Sequence, residues 1–243
     1  MSRPNVLAII QARGGSKELP NKNLLPLAGH PLVAYSIKAA LDTPSITRTI
    51  ISTDSRAIGA VAAQYGAEVP FLRPAEFAQD LSTDFEVFDH ALRWLLENEN
   101  YQPDLIVQFR PTSPIRSVEH IEGAIQRMLI YPEADSLRMI TAAPITPYKM
   151  WLYDEKTVTM EPLMQHPVFS EPYNEPRQKL PPVYWQIGTL DVIRPLVILE
   201  KKSMSGWPIL PYLLPFDYAV DIDDLNSFRK AEEVMSRLDC IKF

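Results

Sequence analysis

The sequence is poor in the residues that build disulfide and metal frameworks. Cys240 is its only cysteine, so the chain contains no disulfide framework and no cysteine metal site. The four histidines, His30, His90, His120 and His166, lack the spacing of metal ligands. Because chains without structural disulfides are typical of reducing compartments, we expect a cytoplasmic protein.

Long apolar runs and an excess of positive charge are also missing. No apolar segment approaches the roughly 18 residues that span a membrane, and the first apolar run is too short for a secretion signal. The formal net charge is −6 and the pI is near 5.3, which argues against a nucleic-acid surface. We therefore expect a soluble chain that binds neither membranes nor nucleic acids.

The most informative stretch follows the first apolar run. Residues 6–10 have the character of a short buried strand, and the next loop combines a glycine pair at 14–15 with the cations Arg13, Lys17 and Lys22. Adjacent glycines let a backbone approach a ligand and turn its N–H groups outward. The spacing fits neither G-x-x-x-x-G-K-S/T nor G-x-G-x-x-G. We expect a polyphosphate site here; the alternative is an ordinary solvated loop.

Short apolar runs then alternate with helical periods. Strands are predicted over 6–10, 49–51, 69–72 and 104–109, and helices over 32–41, 56–65, 85–97 and from 118 onward. This alternation predicts an α/β fold with a doubly wound, mostly parallel sheet and helices on both faces. Ligands of such sheets bind outside the carboxyl ends of the strands. Arg13, Arg73 and Arg110 each follow a predicted strand, which would place them along that edge.

The composition and the periodicity change in the second half of the chain. Sixteen of the 23 prolines fall between Pro103 and Pro215, and residues 142–182 show no sustained helical period. Such a segment projects from an α/β body, and aromatic residues such as Trp151 and Tyr153 would pack on a second copy. We expect a homodimer.

The later apolar runs return to strand character, and a final helix is predicted over 225–238. The main domain therefore comprises residues 1–141 and 183–243, and residues 142–182 form an inserted dimerisation arm.

Two carboxylates near the carboxyl end form a candidate metal site. Asp221 and Asp223 alternate with apolar Val220 and Ile222, so an extended backbone turns both acids to one face. Paired carboxylates repel unless a cation lies between them, and Mg²⁺ takes one or two carboxylates plus phosphate oxygens and water. The alternative is that Asp223 or Asp224 caps the last helix.

Several motifs together carry a family resemblance. The run QARGGSKELPNKNLLPLAGHPLVAYSIKAAL resembles the opening of the acylneuraminate cytidylyltransferases, which make CMP-linked nine-carbon sugar acids. Further similar motifs follow in the same order: STDSRAI at 52–58, EVPFLRPAEFAQD at 68–80, RPTSPIR at 110–116, EPRQKLP at 175–181 and VDIDD at 220–224. The resemblance implies a Rossmann-like nucleotidyltransferase fold, CTP and a sugar acid as substrates, and a homodimer with exchanged arms.

Candidate site residues follow from the loop chemistry together with this resemblance. The candidate nucleotide-binding residues are Ala12, Arg13, Gly14, Gly15, Ser16, Lys17, Lys22, Asn23, Arg73 and Asp84, the last facing the cytosine by resemblance. The candidate catalytic residues are Arg13, Lys22, Asp221 and Asp223, and the two aspartates would hold Mg²⁺ or Mn²⁺. The candidate sugar-acid residues are Arg110, Thr112, Ser113, Lys149, Arg177 and Gln186.

Departures from the family pattern leave the acceptor open. Arg110 replaces the first residue of the usual Q-P-T-S-P-L-R, and residues 185–188 read WQIG where R-x-N-G is frequent. The acid-binding cations are therefore expected to be rearranged, with N-acylneuraminate, legionaminate and Kdo-like acids all possible acceptors.

The expected reaction is in-line attack of an acceptor hydroxyl on the α-phosphorus of CTP, with release of pyrophosphate. The alternatives are a nucleotidyltransferase for another acidic acceptor or a sugar phosphate, a glycosyltransferase, and a nucleotide-binding protein without catalysis.

Overall fold

The structure is a computed structural model that describes residues 3–243, so residues 1 and 2 of the predicted main domain lie outside it. Within that range the strands are β1 (Val6–Gln11), β2 (Pro26–Leu27), β3 (His30–Pro31), β4 (Arg48–Ser52), β5 (Leu105–Phe109), β6 (Ser136–Ala142), β7 (Trp151–Asp154), β8 (Thr159–Pro162), β9 (Tyr184–Ile193) and β10 (Ile209–Leu213). The helices are α1 (Leu32–Leu41), α2 (Arg56–Gln64), α3 (Asp84–Glu99), α4 (Val118–Ile130), α5 (Pro195–Leu199) and α6 (Leu225–Arg237). None of the helices in this described range is long and apolar enough to cross a membrane.

Six strands form the main sheet, in the order β10-β6-β9-β5-β1-β4. β1 runs parallel to β4 and β5, and β6 runs parallel to β10. β9 lies antiparallel between β5 and β6. Five strands therefore point the same way, and the prediction of a mostly parallel α/β sheet is confirmed.

The sheet is covered on both faces, which explains why β1 is a nearly continuous apolar run. Side chains alternate along β1, so Ala8 and Ile10 join one apolar cluster while Leu7 and Ile9 join the other. Residues of α1, α2 and α4 belong to the first cluster, and residues of α3 and α5 belong to the second. The predicted helices on both faces are present.

Four helices begin at a residue whose side chain accepts a backbone N–H of the first turn. Ser55 caps α2, Thr83 caps α3, Ser117 caps α4 and Asp224 caps α6. Each cap satisfies a donor that the helix itself cannot pair. Because the capped helices α2 and α4 follow β4 and β5, the caps also fix where the chain leaves the sheet.

The predicted strand over residues 69–72 is wrong. Only Glu68 pairs there, in an isolated parallel bridge with Ile50 of β4. Pro70 has no N–H to donate to a ladder, so the segment cannot continue as a paired strand. It still runs beside β4, since the Arg73 N–H donates to the Thr53 carbonyl at 2.8 Å. Arg73 therefore lies at the predicted carboxyl edge of the sheet although no strand precedes it.

The segment between β6 and β9 contributes no strand to the main sheet. Its strands β7 and β8 form a separate antiparallel hairpin. Large apolar side chains of this hairpin are exposed, including Leu152 at 57%, Tyr153 at 63% and Val158 at 75%. Several large exposed apolar side chains in one segment are typical of an interaction site, and the dimerisation arm stays a prediction.

The cap of α6 gives a stability prediction. The Asp224 carboxylate accepts the Ser227 N–H at 2.7 Å, and the Ser227 side chain reaches back to the Asp224 N–H. We expect Asp224→Ala to lower the free energy of unfolding by about 1 kcal/mol, because it removes this capping box. Urea denaturation would measure the loss. The control Glu233→Ala alters an exposed residue of the same helix, and equal midpoints for the two variants would contradict the prediction.

Candidate active site

A cleft of about 280 Å³ opens at the carboxyl ends of β1 and β5, the edge at which parallel sheets bind ligands. Its walls come from the loop after β1, the segment before α3 and the loop after β5. The lining residues are Gln11, Arg13, Ser16, Lys22, Asn23, Arg73, Phe77, Gln79, Asp80, Ser82, Asp84, Val87, Arg110, Pro111 and Thr112. The predicted alignment of Arg13, Arg73 and Arg110 along one edge is confirmed.

The glycine-containing loop after β1 is held from two sides. The Gly14 N–H donates to Asp54 Oδ1 at 2.8 Å, and a Cβ at position 14 would lie 3.0 Å from the Ser55 Cβ. Glycine therefore permits this close approach. Asn23 donates to the Arg13 carbonyl at 3.0 Å from the opposite side. Asp54 therefore binds this loop, while its neighbour Ser55 caps α2.

Other residues of the predicted nucleotide site shape the same loop. Ala12 is buried, and its N–H donates to the Ser52 carbonyl at 3.0 Å, which anchors the start of the loop to β4. Nothing lies within 4 Å of a Cβ placed at Gly15, so this part of the loop is open to a ligand. Ser16 follows it and lines the cleft.

Two cations of this loop converge on one carboxylate. Arg13 Nη1 lies 2.8 Å from Asp80 Oδ1, and Lys17 pairs with the other Asp80 oxygen. The hydrogen bonds from Lys17 and Arg13 hold the pKa of Asp80 below its usual value. An anion that binds Arg13 and Lys17 must therefore compete with Asp80, a residue that the sequence analysis did not single out.

Lys22 joins the amino-terminal loop to the carboxyl-terminal acids. Its Nζ donates to the Ile222 carbonyl at 2.7 Å and lies 3.7 Å from Asp223 Oδ1. The Lys22 side chain is only 14% exposed, so the ammonium group is held at this junction. Segments separated by 200 positions in sequence therefore meet at one amine.

The loop after β5 also holds the acidic segment. The Ile222 N–H donates to the Thr112 carbonyl at 2.7 Å, and Ser113 Oγ donates to Asp221 Oδ1 at 3.3 Å. Thr112 and Ser113 thus contact the backbone and the first acid of the predicted metal site. Asp221 and Asp223 are exposed, as the alternating pattern predicted.

Asp221 and Asp223 are the residues predicted to hold a metal ion. Val220 and Ile222 are buried, which anchors the segment while Asp221 and Asp223 are exposed to solvent. Asp224 caps α6, so the capping alternative applies to that residue and leaves the other two acids available. Within residues 3–243 no group of three or more histidine, cysteine, aspartate or glutamate side chains is placed to hold a metal. A cation at these two carboxylates would complete its shell with phosphate and water, as Mg²⁺ does.

Arg73 is a buried cation in the cleft wall. Its Nε donates to Ser52 Oγ at 3.0 Å, and Nη2 donates to the Ser52 carbonyl. Burial lowers the pKa of Arg73 to about 10, because these partners are neutral and do not offset the loss of water. The guanidinium is therefore held in place with its charge uncompensated by a direct ion pair among the described residues.

Asp84 and Arg110 form an ion pair in the wall of the cleft. Asp84 accepts from Gln11 at 2.9 Å, from Gln108 at 2.7 Å and from Arg110 Nη2 at 2.8 Å. Arg110 Nη1 also donates to the buried Asp191 at 3.0 Å. Arg110, predicted to bind the acid of the acceptor, therefore already pairs with two carboxylates.

These contacts oppose the effect of burial on both pKa values. Burial alone would raise the pKa of Asp84, but the charge and hydrogen bond of Arg110 and the two glutamine donors outweigh it, and the pKa is lowered. Burial alone would lower the pKa of Arg110, but Asp191 and Asp84 raise it above its ordinary value. Both groups are therefore charged over the physiological range.

The other predicted acid-binding residues lie apart from this cleft and do not line it. Arg177 lines a second cavity of about 410 Å³ and donates to the carbonyls of Ala143 and Pro144. Lys149 is exposed and ends a short 3₁₀ turn. Gln186 is exposed on β9, opposite Ile140 of β6.

Sequence reasoning missed several residues of the site. Gln11, Gln108 and Asp191 orient Asp84 and Arg110, and Arg138 pairs with Asp191. A signal existed for Gln108, which interrupts the otherwise apolar strand β5, and for Asp191, which lies between the apolar Leu190 and Val192 of β9. Buried polar residues in such strands need partners, and here the partners belong to the site.

The Asp84 contacts give a pH prediction. The unfolded chain binds the Asp84 proton more readily, because folding lowers this pKa from its ordinary value of 3.8. The resulting stability is complete above the unfolded-state pKa and is lost as the pH falls through the folded-state pKa. We therefore expect Asp84→Asn to cost more stability at about pH 6 than at about pH 3, measured by urea denaturation. Asp217→Asn, at an exposed carboxylate, is the control, and equal Asp84→Asn losses at both pH values would contradict the prediction.

Comparison with known proteins agrees with this geometry. A family model described as cytidylyltransferase matches residues 7–150, which is more than half of the chain. The N-acylneuraminate cytidylyltransferase of Escherichia coli is 30% identical over 238 residues, covering 97% of this chain and 53% of that protein. The chain thus spans about half the length of that relative. The CMP-N,N'-diacetyllegionaminic acid synthase of Legionella pneumophila is 32% identical over 236 residues, covering 95% of this chain and 96% of that protein.

The fold has solved counterparts. A structure of CMP:2-keto-3-deoxy-manno-octonic acid synthetase complexed with CTP superposes with a TM-score of 0.68 at 14% identity, covering 96% of this chain and 99% of that one. This likeness concerns the fold, while the family model and the two relatives concern the sequence. They confirm the resemblance seen in the motifs: the chain belongs to the cytidylyltransferase family of nucleotidyltransferase enzymes.

Proposed function

We propose that this chain transfers CMP from CTP to the anomeric hydroxyl of a 2-keto-3-deoxy sugar acid and releases pyrophosphate. The observation that carries the proposal is the junction at Lys22, where the cationic loop after β1 meets the acidic segment at 221–223. A metal-bound triphosphate needs cations and carboxylates together. The names of relatives support the acceptor class, since they specify N-acylneuraminic, diacetyllegionaminic and pseudaminic acids.

The loop after β1 would bind the triphosphate. Its open backbone at Gly15 offers N–H groups, and Arg13, Lys17 and Lys22 offer charge. A triphosphate carries more negative charge than the single Asp80 carboxylate, so it would displace that carboxylate from Arg13 and Lys17. Lys22 would then stand beside the phosphates and the acids at once.

Asp221 and Asp223 would hold Mg²⁺, or Mn²⁺ in its place. Both carboxylates are exposed beside the cleft on a backbone anchored by Val220 and Ile222, and two acids are the number that Mg²⁺ uses beside phosphate and water. When bound, the cation would neutralise charge on the departing pyrophosphate. Ser113 orients the Asp221 carboxylate for this role.

In the reaction, the acceptor hydroxyl oxygen forms a bond to the α-phosphorus and its proton passes to water. The bond from the α-phosphorus to the oxygen bridging to the β-phosphorus breaks, and that oxygen leaves with the electron pair as part of pyrophosphate. The residues of the chain contribute position and charge rather than a covalent nucleophile. Arg13 and Lys22 would stabilise the charge that builds up on the phosphates. Arg177 and Lys149 are the cations available for the carboxylate of the acceptor, because the partners of Arg177 are neutral carbonyls.

We also propose that the enzyme acts as a homodimer in the cytoplasm. The exposed apolar side chains of the β7–β8 hairpin support the dimer, since their burial on a second copy would remove them from water. A lone cysteine suits a reducing compartment. The dimer would bring one arm, with Arg177 and Lys149, towards the other subunit.

A pyrophosphate-release assay tests the reaction. CTP with N-acylneuraminate, legionaminate, pseudaminate or Kdo should release pyrophosphate with at least one acid, and UTP, ATP and GTP should not replace CTP. We expect Asp221→Asn to lower kcat by at least about a hundredfold with the fold retained, because the metal loses a charged ligand. Asp217→Asn is the matched control.

Release only with sugar phosphates would favour the other nucleotidyltransferases, and CTP binding without turnover would favour a non-catalytic role.

The hairpin gives a separate prediction about assembly. We expect Leu152→Asp to convert a dimer into a monomer, because it places a charge in the apolar surface of the arm. Light scattering coupled to size-exclusion chromatography would measure the mass. Ile130→Asp, at an exposed apolar residue of α4, should leave the mass unchanged. A wild-type monomer, or an unaltered dimer in Leu152→Asp, would contradict the assignment of this surface.

A further inference from the structure

Two carboxylates and two guanidinium groups form one network beside the cleft. Asp84 pairs with Arg110 at 2.8 Å, and Arg110 pairs with Asp191 at 3.0 Å. Asp191 is fully buried and also pairs with Arg138. The network therefore begins at a residue of the cleft wall and ends inside the sheet.

The buried end of this network is fixed. Arg138 donates to Ser205 Oγ at 2.7 Å and to the Met204 carbonyl, so it cannot follow movements of Asp191. Asp191 lies on β9 in register with Gln108 of β5, inside the hydrogen-bonded sheet. Arg110 is thus held by Asp191 within the sheet, and its ion pair with Asp84 fixes the position of the Asp84 carboxylate.

The charge of Arg110 is already balanced. Two acids face two guanidinium groups, so the network is neutral as a whole. A carboxylate of the acceptor that approached Arg110 would also approach Asp84 and Asp191, and like charges at such distances repel. Arg177, whose partners are neutral carbonyls, has no such penalty.

The position of Asp84 suits a different ligand group. It stands in the first turn of α3 with 36% of its side chain exposed, and it lines the same cleft as Arg13 and Lys22. Its two oxygens are oriented by Gln11 on one side and by Gln108 and Arg110 on the other. A carboxylate only accepts hydrogen bonds, so it must face a donor of the ligand. In CTP the 4-amino group of cytosine is such a donor, whereas uracil presents a carbonyl oxygen there.

We propose that Arg110 is a positioning residue for Asp84, not a ligand of the acceptor carboxylate, and that this pair sets the preference for cytosine over uracil. The proposal rests on the proposed use of CTP and assigns the specificity of that site. It also assigns Arg110 to nucleotide binding, whereas the sequence predicted that this residue binds the sugar acid.

The test measures nucleotide binding and acceptor binding separately in the variant Arg110→Gln. Calorimetry with Mg²⁺ and no acceptor gives the Kd for CTP and for UTP, and steady-state assays give the KM of the acceptor. We expect the Kd for CTP to rise by about tenfold, the Kd for UTP to change little and the acceptor KM to stay within about twofold. A raised acceptor KM with an unchanged ratio of CTP to UTP affinity would overturn the proposal. Arg93→Gln, which breaks an exposed ion pair with Asp89 on α3, is the control.

A double-mutant cycle with Asp84→Ser distinguishes positioning from general support of the structure. If Arg110 acts through Asp84, Arg110→Gln should have almost no further effect on CTP affinity once Asp84 is serine. Additive effects of the two changes would overturn the proposal. Should Arg110→Gln fail to fold in thermal melting, Arg110→Lys keeps the charge between the two acids, and it should show the same separation of CTP affinity from acceptor KM to a smaller degree.

The outcomes also separate the two proposals. A wild-type protein that binds neither CTP nor UTP would contradict the proposed function. A wild-type protein that prefers CTP, with the same preference in Arg110→Gln, would contradict only the role assigned to Arg110.

Discussion

The site depends on the position of one ammonium group. Lys22 Nζ reaches the Ile222 carbonyl and the Asp223 carboxylate from a loop near the other end of the chain. The amine is nearly buried, so its charge is weakly screened and acts on whatever lies between the loop and the acids. The sheet supports this contact because β1 delivers the loop and the loop after β5 accepts the acidic segment through Thr112.

Carboxylates of the chain hold the donors that a nucleotide would use. Asp54 accepts the Gly14 N–H, and Asp80 pairs with Arg13 and Lys17. Clustered cations repel one another, and these acids offset that repulsion within the folded chain. A phosphate group that bound Arg13 and Lys17 would have to displace Asp80, which would lower the net free energy of its binding.

Charge distinguishes the cleft at Asp84 and Arg110 from the cavity at Arg177. Around Asp84 and Arg110 the charges are matched in pairs, and such a region selects by the direction of its hydrogen bonds. Around Arg177 the nearest partners are carbonyls, and such a region attracts anions. The two regions line separate cavities of one chain, so the proposed in-line attack would require the arm of a second copy to bring Arg177 to the cleft.

Much of the fold followed from local patterns. The apolar run of β1, the helical periods of α1 to α4 and the caps at Ser55 and Ser117 are all decided by neighbouring residues. The predicted strand at 69–72 is wrong because the prediction used apolar character alone and did not consider that Pro70 lacks a backbone N–H. In the same way, periodicity could not show that β9 enters the sheet antiparallel, since pairing direction depends on distant partners.

The sequence by itself determined the chemical groups: a glycine loop with three cations, two alternating acids and the motifs of the cytidylyltransferase family. Only the tertiary structure decided which charges are free. Arg110 looked like a cation for the substrate until Asp84 and Asp191, 26 and 81 positions away in sequence, were found beside it. Electrostatic interactions depend on distance in space, and no local pattern records that distance.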